Sequence, residues 1–411
     1  MVYADRLNNL GEGIFSKLLE IKRRRIACGE RVIDLSVGTP NIPPAPHVVE
    51  TLCKAASDGK NYVYAISDQE ELLGAVAAWY DRRFGVKTDP DTQICSLLGS
   101  QEGLAHIALT LANEGDVVLV PDPCYPVFAD GGTIAGAKLH YMPMKRDNGY
   151  LIRFDDIPAD AARRAKLMVV SYPNNPTTAM AGDAFYRELV AFAKEFDIAV
   201  LHDNAYSELV FDGRECGSFL AYPGAMDVGV EFNSLSKSYG LAGARIGFCL
   251  GNGDLVRGMK KLKSNMDYGM FLPFQKAAIA AISGPQECVA ATRRAYEGRR
   301  DVLCEGFSSI GWPMEKPQAT MFVWAKIPEA YLHRCAADGS GASGAGGDES
   351  AGAAKSLSMR FSLELIEKAG VMVTPGNAFG PSGEGYVRLA LVQDADAIRD
   401  AVEAVRASGV F

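Results

Sequence analysis

The chain has 411 residues, 48% of them apolar, which is enough for a large core and about two domains. Its 42 basic and 50 acidic residues give a formal charge of −8, which argues against a broad nucleic-acid surface but leaves room for a small basic pocket. Nine scattered cysteines with no CxxC pair, and five histidines in no metal-ligand pattern, predict reduced thiols and no structural metal.

The first residues, MVYADRLNNLGEG, lack the charged-then-apolar pattern of a signal peptide, and no run of about 18 apolar residues occurs that would span a bilayer. A soluble, cytoplasmic protein without membrane or nucleic-acid partners is the expectation. Residues 12–27 read as a helix, and IDLSVGTPNIPP (33–44) as a strand that gives way to a proline-rich turn. From residue 94 onward, short apolar runs alternate with helical patterns. ICSLLG (94–99) precedes the helix QEGLAHIALTLAN (101–113), and DVVLV (116–120) and AKLHYM (137–142) follow. KLMVVSYP (166–173) leads into the helix AFYRELVAFAKEF (184–196), then IAVLHD (198–203), VEFNSLS (230–236) and RIGFCLG (245–251). Nearly continuous apolar strands with helical crossovers predict an α/β fold with a mostly parallel sheet covered by helices.

Beyond about residue 290 the pattern changes to a long helix, then the strands TMFVWAKI (320–327), VMVTPG (371–376) and YVRLALV (386–392), and a last helix over 395–408. The expected division is a large domain over 46–290 and a smaller α+β domain formed by both chain ends, 1–45 and 291–411. The low-complexity stretch 335–356 has almost no bulky apolar residue and reads as a flexible insertion.

Several strand ends carry polar residues. GSQEG (99–103) opens a helix, with Ser100 as its expected cap and outward backbone N–H groups suited to an anion. DPCYPVF offers Tyr125, and SYPNNPTT offers Asn175, whose backbone is restricted by Pro176. In HDNAY, Asp203 could pair with a protonated ring nitrogen and Tyr206 could donate to a phenolate, whereas His202 faces the other way and reads as structural. SLSKSYGLAGARIGF (234–248) places Lys237, an amine able to bond an aldehyde carbon, between the hydroxyls of Ser234 and Ser236 and the guanidinium of Arg245. Its glycines do not follow GxGxxG and precede a strand rather than a helix, so a dinucleotide turn is disfavoured. Singly, caps, turns and solvated charge explain each loop; together, at the carboxyl ends of parallel strands, they point to one site.

This set of motifs resembles the fold-type I, pyridoxal-phosphate-dependent class I/II aminotransferases. SLSKSYGLAGARIGF is similar to their cofactor-lysine motif, YPNNPTT to their NPTG turn, HDNAY to their DxAY segment, and GYVRLAL to the strand carrying the substrate arginine. The resemblance implies pyridoxal 5'-phosphate bonded to Lys237, with Asp203 on the pyridine nitrogen, Asn175 and Tyr206 on the phenolate oxygen, and Tyr125 stacked on the ring. Ser100, the Gln101 backbone, Ser234, Ser236 and Arg245 would hold the phosphate. Arg388 would bind the substrate carboxylate through its bidentate fork, helped by Asn175 and the Gly38 backbone.

The resemblance also implies a homodimer with shared sites, in which Tyr64, or alternatively Tyr62, reaches the neighbour's phosphate. Two departures from the family pattern stand out: a glycine usual shortly after that tyrosine is missing around Asp68 and Gln69, and Thr178 replaces the NPTG glycine. The branch resembled is that of alanine, aspartate and LL-diaminopimelate aminotransferases. With no assignable arginine for a side-chain carboxylate, alanine or another neutral donor is expected, with 2-oxoglutarate or pyruvate as acceptor. A β-lyase or decarboxylase using the same apparatus, and a non-catalytic cofactor-binding regulator, are the rival readings.

Overall fold

The computed structural model describes residues 4–8, 10, 14–337 and 356–411, so most of the expected insertion over 335–356 lies outside the described residues. At its centre is a seven-stranded sheet built from β2 (Ile94–Leu98), β3 (Val117–Asp122), β4 (Lys138–Pro143), β5 (Ala165–Ser171), β6 (Ala199–Asp203), β7 (Gly229–Ser234) and β8 (Ile246–Gly251). The order across the sheet is β2-β8-β7-β6-β5-β3-β4. Strands β7, β6, β5, β3 and β4 pair in parallel, while β8 runs antiparallel to both β2 and β7. The sheet is therefore parallel except for one reversed strand, in line with the mostly parallel sheet expected.

Near-continuous burial along β2, β3, β5, β6, β7 and β8 follows from cover on both faces. On one face, helices Glu70–Phe84, Asp183–Phe196 and Leu272–Ser283 lay Trp79, Leu189 and Ala278 against Val200 and Phe248. On the other, helices Ser100–Leu111, Val127–Ile134 and Gly253–Met266 pack Ile107, Phe128 and Met259 over Leu201 and Phe232.

Both chain ends meet in a second core. Strand β1 (Ile33–Asp34) pairs in parallel with β10 (Val371–Met372), and β11 (Thr374–Pro375), β12 (Tyr386–Ala390) and β9 (Phe322–Lys326) form an antiparallel sheet. Helices Glu287–Ser309 and Ala395–Ser408 close this core through Tyr296, Phe307, Ile398 and Val402. No helix among the described residues is long and apolar enough to cross a membrane.

Residues 42–44, on the chain that leaves β1, come against the segment after β7. Gly240 has a left-handed φ of +68°, and a Cβ there would strike the Ile42 carbonyl and the backbone of Pro43 and Pro44. Glycine thus lets the chain turn and lets two backbones touch. Gly240→Ala should cost about 1–3 kcal/mol through strain and displacement of residues 42–44, seen as a lower urea midpoint. An unchanged midpoint would mean that the two segments do not depend on this approach.

Candidate active site

Six of the seven strands point their carboxyl ends the same way, and the loops leaving five of them supply polar groups to one cavity of about 390 Å³. Ser100 and Gln101 follow β2, Tyr125 follows β3, Asn175 follows β5, Asp203 and Tyr206 close β6, and Ser234, Ser236 and Lys237 close β7. Because β8 is reversed, its first residue lies at this same edge, and Arg245 just before it joins the lining. From outside the central sheet come Gly38, which follows β1, Phe322 on β9 and Arg388 on β12. Every sequence-predicted cofactor and substrate residue lines this cavity except Tyr64. That side chain is 82% exposed, with its ring 5.9 Å from Tyr268. Tyr62, the alternative, is also exposed and donates its hydroxyl to the Ala56 carbonyl at 2.9 Å.

The helix opening differs in one respect from expectation. Ser100 is the first helical residue rather than the cap, and the cap position belongs to Gly99 with φ +76° and no side-chain bond. A Cβ on Gly99 would collide with the Arg245 guanidinium, so glycine lets that cation sit against the helix start. Glu102 reaches back to the Leu98 N–H at 2.6 Å and takes up a donor at the helix entrance. Ser234 caps the short helix Leu235–Ser238 by accepting from the Ser236 N–H, and the two serine hydroxyls lie 3.0 Å apart.

Lys237 is half-buried, and its ammonium donates to the Gly38 carbonyl at 3.0 Å. Burial, with Arg388 and Arg245 adding their repulsion, pulls its pKa down to about 8. Asp203 is buried and accepts the Ala205 N–H at a long 3.3 Å. Burial pushes its carboxyl up to about 6, against the pull of His202, that hydrogen bond and Lys237. Arg388 lies between the rings of Phe322 and Phe379, its carbon 4.0 and 4.6 Å from their centroids. It donates to Asn175 Oδ1 and to the Ser36 carbonyl, each at 2.9 Å, and burial lowers its pKa to about 10. Since Arg388 occupies the amide oxygen of Asn175, the amide N–H₂ is the group left to face the cavity.

Thr178, where the resembled family has glycine, takes φ +64° and bonds its N–H to the Asn174 carbonyl at 2.9 Å. The turn thus keeps a left-handed residue that a β-branched side chain adopts only under strain, and Asn175 keeps its place. Ser36, Phe322 and Phe379 were missed from the sequence, and so was Ser171. Alternation from Leu167 and Val169 would have put Ser171 on the face of Asp203, its register partner on the next strand.

These residues fit pyridoxal phosphate. Asp203 is a buried carboxylate short of donors, and the Lys237 amine, the Arg245 guanidinium and the hydroxyls of Ser234 and Ser236 line the same cavity. A ring carrying a protonated nitrogen, an aldehyde and a dianion would supply a partner to each kind of group the cavity presents.

Comparison with known proteins agrees. Residues 30–405 match the family model described as aminotransferase class I and II. The chain is 42% identical to the LL-diaminopimelate aminotransferase of Moorella thermoacetica over 99% of this chain and 98% of that one. It is 43% identical to the enzyme of the same name from Syntrophobacter fumaroxidans, over 98% of each. Among solved structures, substrate-bound BacF from Bacillus subtilis superposes with a TM-score of 0.89 at 34% identity, covering 99% of this chain and 98% of BacF. A probable N-succinyldiaminopimelate aminotransferase from Thermus thermophilus gives 0.85 at 32%, covering 96% of this chain and 100% of that one. The chain belongs to the class I and II aminotransferases and is a pyridoxal-phosphate-dependent member of that family.

Proposed function

We propose that this aminotransferase takes LL-diaminopimelate as amino donor and passes the amino group to a 2-oxo acid such as 2-oxoglutarate or pyruvate. The observation that carries this reading is near-full-length identity of 42% and 43% to two enzymes of that name. The charge inventory of the cavity argues against a donor with a lone side-chain carboxylate. Among the described lining residues the fixed cations are Lys237, Arg245 and Arg388, and each has a post at the cofactor or the reacting carboxylate. A donor whose far end is a lone carboxylate would need a further cation. The sequence by itself favours alanine or another neutral donor with LL-diaminopimelate as an alternative, and the names of the relatives favour that alternative.

Bound pyridoxal phosphate supplies a conjugated electron sink next to the donor carbon. Lys237 is the residue that would bond its aldehyde carbon. An amine with a pKa near 8 would also be suited to take up and give back the proton of the donor α-carbon. Asp203 would keep the proton on the ring nitrogen, because a buried carboxylate acts through a low dielectric. The Asn175 amide and the Tyr206 hydroxyl would hold the cofactor's ring oxygen, and Tyr125 would pack against its ring. Ser100, the Gln101 N–H, Ser234, Ser236 and Arg245 would hold its phosphate, with the start of helix Ser100–Leu111 among them. Arg388, already fixed through Asn175 and Ser36, offers its fork to the donor carboxylate.

A second copy of the chain covers the exposed ridge of Tyr62, Val63, Tyr64 and Ile66, and Tyr64 completes the phosphate site of the other subunit.

In a screen of LL-diaminopimelate, alanine, aspartate and glutamate against 2-oxoglutarate and pyruvate, LL-diaminopimelate should have the highest kcat/KM, by about tenfold or more. Equal or faster turnover of alanine would overturn this choice of donor. Arg388→Lys should lower kcat/KM for the donor by about 10²–10³-fold while cofactor content stays that of the wild type; an unchanged value would remove Arg388 from the substrate site. A carboxyl whose folded-state pKa is raised binds more protons folded than unfolded, so its contribution to stability is present below the unfolded value of 3.8 and is lost as pH rises through about 6. Urea unfolding of the cofactor-free protein should accordingly show wild type losing up to about 3 kcal/mol relative to Asp203→Asn as pH rises through that window. Parallel pH profiles would contradict the burial of an ionisable group at this position.

A further inference from the structure

Asp203 is gripped from behind. Its neighbours His202 and Asn204 turn to the face of β6 opposite the cavity, and His202 registers with Glu231 on β7. The Glu231 carboxylate, 0% exposed, lies 2.9 Å from His202 Nδ1 through Oε2 and accepts Asn204 Nδ2 at 3.1 Å on Oε1. One carboxylate thus holds the residues on both sides of Asp203. Its remaining lone pairs take the Tyr80 hydroxyl at 3.0 Å and the Phe219 N–H at 2.8 Å. The far nitrogen of the His202 ring meets the Tyr186 hydroxyl at 3.1 Å, and the Asn204 N–H is tied to the Phe232 carbonyl at 2.8 Å.

Asp203 itself has little to fix its direction, since the Ala205 N–H reaches it at 3.3 Å. Its aim is inherited from the backbone on either side. A fully buried carboxylate in a central strand adds little to stability, because an apolar residue of like volume is often as good or better there. Its saturated bonding to both neighbours of one functional residue assigns it another task.

We propose that Glu231 is a positioning residue for Asp203: by clamping His202 and Asn204 it fixes the strand end so that the Asp203 carboxylate points at the ring nitrogen of the bound cofactor. The proposal rests on the reading of Asp203 as the partner of that nitrogen. The titratable groups packed against the clamp are His202, Tyr80 and Tyr186, with Cys216 bonded to Asn204.

The test uses holoenzyme of wild type, Asp203→Asn, Glu231→Gln, Asn204→Ala and Leu189→Ala. Leu189 is a buried residue in the same layer as the clamp and contributes to none of its hydrogen bonds. Melting temperature, the dissociation constant of pyridoxal phosphate, and the pH midpoint of the cofactor's visible absorption are measured for each. Glu231→Gln should weaken cofactor binding by about tenfold and move the midpoint in the same direction as Asp203→Asn. Asn204→Ala, which opens one arm, should move it less but the same way, and it carries the test if Glu231→Gln does not fold. Leu189→Ala should lower the melting temperature and leave the midpoint in place. If Asp203→Asn moves the midpoint while Glu231→Gln and Asn204→Ala keep the wild-type value, the clamp is structural and the proposal falls, with the role of Asp203 intact. If Leu189→Ala moves the midpoint as far as Glu231→Gln, the effect is loss of stability, which also overturns it. If Asp203→Asn itself changes neither binding nor midpoint, the reading of Asp203 fails and the clamp's purpose fails with it.

Discussion

The reversal of β8 is the constraint on which the site depends. Six strands deliver their carboxyl ends to one edge of the sheet, where exposed backbone and loop residues gather. Carboxyl ends alone would leave the β2 to β7 side without a guanidinium. Running β8 antiparallel between them brings its amino end to that edge, so Arg245 stands between the helix that begins at Ser100 and the turn that carries Lys237. The space it needs exists because Gly99 has no Cβ. Arg245 itself takes φ +53°, a left-handed conformation for which a non-glycine residue bears some strain. The order of strands then becomes an order of chemistry across the sheet. The hydroxyls and guanidinium that would take an anion lie at β2, β8 and β7, the carboxylate at β6, and the Asn175 amide at the turn after β5.

A second feature is how much charge the cavity buries. Asp203, Lys237 and Arg388 are all withdrawn from water, and burial is the largest influence on each of their pKa values. Such groups disfavour their own ionised forms unless a partner arrives. A cofactor with a protonatable nitrogen and a phosphate answers both signs of charge, so the penalty of burying these groups is relieved when it binds and appears as affinity. The same reasoning explains why Arg388 is braced by Asn175, Ser36 and two phenyl rings: a guanidinium held in its binding geometry loses little freedom when a carboxylate docks.

Much of this was legible in the sequence, for identifiable reasons. Apolar runs such as DVVLV and IAVLHD announce strands buried on both faces, and the polar residues that end them fall on the cavity because parallel strands share a direction. Four ordered motifs placed Lys237, Asp203, Asn175 and Arg388, and all four line one cavity. What escaped were partnerships across strands. Ser171 beside Asp203, Glu231 beside His202, and Phe322 against Arg388 depend on register and on which strands are neighbours, and local sequence carries neither. Ser100 was misread as a cap because a serine before an apolar helix is the usual signal, whereas here the need to admit Arg245 gave that position to glycine.

The segment 34–38 connects Arg388 to Lys237. Asp34 accepts both the N–H and the hydroxyl of Ser36 and is paired to Lys22 at 2.6 Å, so the strand end is held rigidly. From there the Ser36 carbonyl fixes Arg388, and two residues on the Gly38 carbonyl receives Lys237. The group that would anchor the donor carboxylate and the amine that would release the cofactor to that donor are thus bonded to the same short stretch of backbone. Ser36 and Gly38, which themselves carry no charge, tie the two cations to one stretch of backbone.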